Sequence, residues 1–222
     1  MIESLDLTRF IEPGDTVVWG QACSEPRALT RLLVEQADRL GDVRCFVGIP
    51  ADSSVTIDTI GPLRVTSYCG SGSNARLHGA GRLDVVPVHY SSLPDLLEHG
   101  SLRADVVLVQ VSPPDEVGRH CLGLADDYFS GTLDTARVVL AEVNEHVPFT
   151  LGARTIHRDA IDASVTSSRP PAEMPTPAVD ARTREVARRV ASLVDDGATL
   201  QFGIGALPEA VLGELAGYQD LG

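Results

Sequence analysis

The chain of 222 residues is 43% hydrophobic and 22% charged and carries a formal net charge of −13, proportions of a globular body with too much negative charge to hold nucleic acid or an anionic membrane nonspecifically. All 18 basic residues are arginine, which excludes a lysine nucleophile, a Schiff base and a P-loop lysine and leaves arginine or backbone amides to meet any phosphate. The opening residues lack a basic stretch followed by a long apolar run, and Cys23, Cys45, Cys69 and Cys121 show no paired spacing, so the expectation is a cytoplasmic protein with reduced thiols, no metal and no membrane span.

Valine-rich runs bounded by glycine, proline or aspartate recur at 16–20, 43–49, 63–68, 85–90, 106–111, 138–143 and 200–204. Several are apolar without alternation, as strands buried on both faces are, and this predicts a parallel sheet covered by helices. Between the first two runs, residues 26–40 place Leu29, Leu32, Leu33 and Ala37 at helical spacing behind Pro26. Residues 92–99 read as a short helix capped by Ser92, and 124–136 as a weaker one interrupted by Gly131. Residues 164–177 hold four prolines and no apolar periodicity, the composition of an extended linker. Beyond it, 180–194 set Val186, Val190, Leu193 and Val194 on one face of an amphipathic helix.

The chain also repeats itself. Residues 12–20 and 196–203 each run from a turn glycine (Gly14, Gly197) through an apolar strand to another glycine (Gly20, Gly203), and each leads through a proline (Pro26, Pro208) into a helix. Two such copies suggest matched domains. The organisation expected is therefore an α/β domain over 1–163, an open, mostly parallel sheet with helices on both faces, then a Pro-rich linker over 164–179 and the opening of a second similar domain over 180–222.

Gly203 and Gly205 sit between a predicted strand and a helix, where free amides and the helix dipole can meet an anion or a developing oxyanion. A dinucleotide fingerprint is a poor alternative, because Pro208 replaces its third glycine. Asn144 ends the run 138–143 at a carboxyl edge, where ligands gather, and could donate to an acyl oxygen; a turn asparagine bonding its own backbone is the equal alternative. The tract 70–74 could cradle phosphate, and Arg76 and Arg82 could meet a phosphate of coenzyme A, although a flexible loop and surface arginines are the commoner case. His89 with Ser91 or Ser92 lacks the nucleophile elbow of a serine hydrolase. His120 and Cys121 are adjacent in a strand-like run and so point to opposite faces.

Taken together, 197–211, 111–118, 84–91 and the segment Val143, Asn144, Pro148, Thr150 to Gly152 resemble the acetyl-CoA hydrolase/transferase family, in the right order along almost the whole chain. The resemblance implies two similar open α/β domains that move coenzyme A between an acyl-CoA and a small carboxylate through a glutamyl-CoA thioester, with no permanently bound cofactor. It implies ligand-binding roles for Asn144, Gly203, Gly205 and Pro208. Glu209 and Glu214 match no nucleophile position, so no catalytic residue is assigned and the reactive glutamate is expected beyond Gly222. The chain alone would then be inactive and would act in a homo-oligomer or with a partner chain supplying the rest of the second domain. The alternative is a noncatalytic acyl-CoA-binding or scaffolding subunit.

Overall fold

The computed structural model describes residues 5–51, 54–173 and 178–222 in two compact units, 1–174 and 175–222. In the first unit, β1 (Thr16–Trp19), β2 (Arg44–Phe46), β3 (Arg64–Ser67), β4 (Leu83–Val85), β5 (Val106–Val111), β7 (Val138–Asn144) and β9 (Ala163–Ser167) form one sheet in the order β4-β3-β2-β1-β5-β7-β9. Every pairing in it is parallel. A separate antiparallel ribbon joins β6 (Arg119–Cys121) to β8 (Thr155–His157).

Alternation along each strand supplies two cores. Val17, Trp19, Val106 and Leu108 pack with Leu29 and Leu33 of α1 (Arg27–Glu35) and Leu40 of α2 (Ala37–Leu40). Their neighbours Val18, Val107 and Val109 face the other way, against Leu93 and Leu97 of α4 (Leu93–Glu98) and the aromatic pair Tyr128 and Phe129. All six residues of β5 are buried, because successive side chains serve opposite faces. A short α3 (Ala75–Gly79) leads into β4.

Several expected elements differ. The first residues of the expected linker are the edge strand β9, which the sequence hides because Val165 is its one buried residue among exposed and half-buried neighbours. Residues 124–136 form only a 3-10 turn, Ser130–Asp134, where Gly131 makes room for Glu98 of α4. Ser92 makes no cap; its backbone (φ −91°, ψ −10°) is already helical after a preceding 3-10 turn.

The second unit packs α5 (Ala181–Ala191) against α6 (Ala206–Glu214) through Ala187, Ala191, Val211 and Leu215. The small alanines let the helices approach, so α5 is turned from its expected face: Val186 and Val190 are exposed, and Leu193 is 85% exposed. Residues 200–204 form no strand. Their start nevertheless repeats the first unit. The Gly14 N–H donates to Asp42 O at 2.6 Å and that of Arg44 to Asp15 O at 3.0 Å; correspondingly Gly197 donates to Gln219 O at 2.9 Å and Gly222 to Ala198 O at 3.1 Å. Leu200 donates back to Gly222 O at 2.8 Å, so residue 222 is bonded on both sides as in a parallel ladder. Gly14 and Gly197 both hold positive φ, +98° and +80°.

Leu108→Ala, in the centre of the sheet, should lower stability by about 2–5 kcal/mol. Leu193→Ala, at a position the sequence assigns to a helix's apolar face, should stay within about 0.5 kcal/mol of the parent. Denaturant titration of both variants measures the difference.

Candidate functional site

The sheet order reverses at one place. From β1 the chain steps outward through β2, β3 and β4, then returns to β5 on the other side of β1. The loops after β1 and β5 therefore diverge at the carboxyl edge, where open α/β sheets hold their ligands.

Buried polar side chains fix the β1 loop. Gln110 Nε2 donates to the Cys23 carbonyl at 2.9 Å, and Gln110 Oε1 accepts from Asn144 Nδ2 at 3.0 Å. Asn144 Oδ1 accepts from the His146 N–H at 3.1 Å. Asn144 thus ends β7 as expected, fully buried, with both ends of its amide engaged by protein. Two positions earlier, Glu142 is also fully buried: Oε2 accepts from the Ala28 N–H at 2.7 Å, and Oε1 accepts from Ser167 Oγ at 2.6 Å and Arg169 Nη2 at 2.9 Å. Desolvation lowers the Arg169 guanidinium from its ordinary value, and the Glu142 carboxylate opposes that shift.

A second polar group, not anticipated from the sequence, centres on Gln21. Its Oε1 accepts from Tyr68 Oη at 2.8 Å and the Ile49 N–H at 3.0 Å, and its Nε2 donates to Tyr90 Oη at 3.2 Å. Asp127 accepts from the Gln21 N–H at 3.1 Å, the Tyr128 N–H at 2.8 Å and the Tyr90 hydroxyl. Tyr68, Tyr90 and Tyr128 meet edge to face, with centroids 5.5 to 6.4 Å apart. Gly48 is required here, since a Cβ would lie 2.6 Å from Gln21 Cβ and 2.9 Å from Tyr128 Oη. Burial raises the phenols of Tyr68, Tyr90 and Tyr128, and the Asp127 charge adds to it. They are hydrogen-bond donors, not nucleophiles. Tyr68 and Tyr90 each follow an apolar run, a position that marks the carboxyl edge; Asp127 lies 106 residues from Gln21 and carries no such signal.

The two glycine turns end differently. In the first, Glu142 takes the Ala28 amide at the start of α1, and a Cβ at Gly20 would strike Ser24 and the Phe129 ring. Ala22 holds φ +50°, at the same distance from its turn glycine as Gly205, φ +127°, from Gly197. A left-handed alanine costs about 1–2 kcal/mol, a strain the second copy relieves with glycine. Around that copy a Cβ at Gly203 or Gly205 would meet nothing within 4 Å, and no side chain caps α6. Gly203, Gly205 and Pro208 fall together in this turn of the second unit, whereas Asn144 belongs to the first. Among the described residues no cluster could hold a metal ion, and no helix is long and apolar enough to cross a membrane.

Residues 1–179 match the acetyl-CoA hydrolase/transferase N-terminal domain. The chain belongs to this family. It is 34% identical over 214 residues to the 4-hydroxybutyrate coenzyme A transferase of Clostridium kluyveri, covering 96% of this chain and 50% of that protein. It is 32% identical over 216 residues to the succinyl-CoA:acetate/propanoyl-CoA:succinate CoA transferase of Fasciola hepatica, covering 96% and 45%. The structure of RipA from Yersinia pestis is similar at a TM-score of 0.87 with 30% identity, over 97% of this chain and 53% of that one. A 4-hydroxybutyrate CoA-transferase structure from Porphyromonas gingivalis gives 0.73 and 29%, over 97% and 50%. The chain spans about half the length of the curated relatives it matches. Both curated relatives carry the name of a coenzyme A transferase.

Asp127→Asn removes the charge that helps hold three phenols protonated. Ultraviolet titration should then show more tyrosinate at a given alkaline pH than in the parent, because each phenol's ionisation moves down towards its ordinary value. Unchanged titration would mean that the carboxylate does not sense the tyrosines.

Proposed function

We propose that this chain forms part of an enzyme that moves coenzyme A between an acyl-CoA and a small carboxylate through a glutamyl-CoA thioester, the glutamate lying outside these 222 residues. An enzyme carboxylate attacks the thioester carbonyl, the tetrahedral oxyanion needs backbone donors, and coenzyme A is retained on the enzyme until the second acid collects it. Exclusion of water separates transfer from hydrolysis.

The observation that carries this reading is the contrast between the two glycine turns. The first is closed by Glu142 and packed by Phe129; the second leaves the start of α6 uncapped by any side chain, with open space at Gly203 and Gly205. Amides and dipole there suit an oxyanion or phosphate oxygen. Pro208 lies in the first turn of α6 and holds the entry in one conformation, while Asn144 orders the carboxyl edge of the first unit, where its amide already bridges to Gln110. The names of relatives that pair acyl-CoA with acetate support a short carboxylate and a place in acetate metabolism.

A partner polypeptide belongs to this reading. In the second unit a cavity of about 270 Å³ is lined by Val190, Leu200, Phe202, Leu207 and Val211, and Ile204 is 97% exposed. Apolar surface of this kind is normally covered, and the rest of a second domain, from the same chain or another in an oligomer, would cover it. Four free cysteines accord with cytoplasmic residence.

The test is exchange of labelled acetate into an acyl-CoA by the complete protein or complex containing this chain. Ping-pong kinetics are expected, with a loss of up to about 100-fold in kcat for Gly205→Ala, because alanine is strained at φ +127° and shifts the amides of the turn, and no turnover by the 222 residues alone. Tight binding of acyl-CoA without exchange would favour the noncatalytic module.

A further inference from the structure

One side chain ties together the segments that leave the carboxyl edge of the first unit. Gln21 follows β1, Ile49 follows β2, Tyr68 follows β3, Tyr90 follows β4, and Asp127 lies in the connection from β5 to β7. The Gln21 carboxamide reaches all four of the others. Its Oε1 accepts from the Ile49 N–H at 3.0 Å and from Tyr68 Oη at 2.8 Å, while its Nε2 donates to Tyr90 Oη at 3.2 Å and reaches Asp127 Oδ1 at 3.5 Å.

A carboxamide has two acceptor sites and two hydrogens, so each of them is engaged by protein. The partners also fix which way the amide points: a backbone N–H can only donate, which calls for oxygen, and a carboxylate accepts, which calls for nitrogen. Glutamate could not donate to Tyr90 and Asp127, methionine has no hydrogen to give, and asparagine is one methylene too short. The backbone reinforces the tie, because the Ala22 N–H donates to Ile49 O at 3.1 Å. Ala22 itself stands at φ +50°, a strained conformation that persists where the surroundings over-determine it. Tyr90 is 45% exposed, so the group opens to solvent at the edge where such sheets bind ligands.

We infer that Gln21 is a positioning residue for the coenzyme A reaction proposed above: it holds five segments in one arrangement, and the affinity of the carboxyl edge for acyl-CoA depends on that arrangement. Its role runs through the loops it ties, since protein occupies all of its bonding sites. The inference takes its substrate from that reaction and its clamp from the hydrogen bonds alone. Without the clamp the binding-competent arrangement is populated for less of the time, which weakens apparent affinity by that fraction. Chemistry after binding is unaltered, so KM rises while kcat is kept.

Two measurements separate the clamp from the reaction. In the 222-residue chain, Gln21→Met keeps the length of the side chain but has no hydrogen to donate and only a weak sulfur acceptor. Amide exchange at Ile49 should quicken about tenfold or more, while Leu108 in the centre of the sheet exchanges as in the parent. In the complete protein or complex, the same variant should raise KM for acyl-CoA about tenfold with kcat within about threefold of the parent. Tyr68→Phe, which removes one bond to Gln21, should move KM the same way by less. Leu108→Ala, destabilised through core packing, is the control and should leave KM in place at a temperature where it is folded. Unchanged exchange at Ile49 in Gln21→Met would overturn the clamp. A lowered melting temperature with KM unmoved would make Gln21 a residue of stability only and overturn its part in binding. Absence of turnover by the parent complex would count against the family reaction instead, and exchange at Ile49 then decides the clamp by itself.

Discussion

One buried carboxylate organises the carboxyl edge of this fold. Glu142 interrupts the apolar run 138–143 of β7, and an unpaired charge at such a depth would cost several kcal/mol. Instead it accepts from the backbone of α1, from Ser167 in β9 and from Arg169 beyond it. The strand, the helix on one face and the edge strand are thereby locked into one register. Because the helix is fixed, the loop that enters it is fixed too, and Gln110 then needs only the Cys23 carbonyl and Asn144 to complete the edge.

The same interaction separates the two halves of the internal repeat. Both copies begin on a left-handed glycine with the same backbone bonding, and both turn through a positive φ before their helix. The first copy spends its helix amide on Glu142 and fills the space at Gly20 with Phe129; the second does neither. One pattern thus ends in a closed structural joint in one place and in an open, uncapped turn in the other. The two copies share their opening backbone geometry, and long-range packing closes one and leaves the other open.

How much of this could be read beforehand follows from the range of each interaction. The buried strands were legible because valine runs serving two cores need no alternation, and β5 spans the residues expected of it. The glycine turns were legible because positive φ writes itself locally as glycine. The edge strand β9 was not, since pairing with β7 on one side asks little of its side chains. The face of α5 was misread because two alanines, not the larger valines, decide how closely α6 can approach. Asp127 was invisible for a different reason: a turn aspartate gives no sign that it will meet a glutamine and a tyrosine from two distant loops. Glu142 did carry a sign, a lone carboxylate in an apolar run, and such a residue is rarely buried without partners.

The central claim is that the second turn binds and the first only holds. Hydrogen exchange at single amides, with and without saturating acyl-CoA, addresses it directly. Slowed exchange at Gly205, Ala206 and Leu207 with no change at Ala28 is the predicted result. Slowing at Ala28 while the amides opening α6 exchange as freely as before would contradict the account.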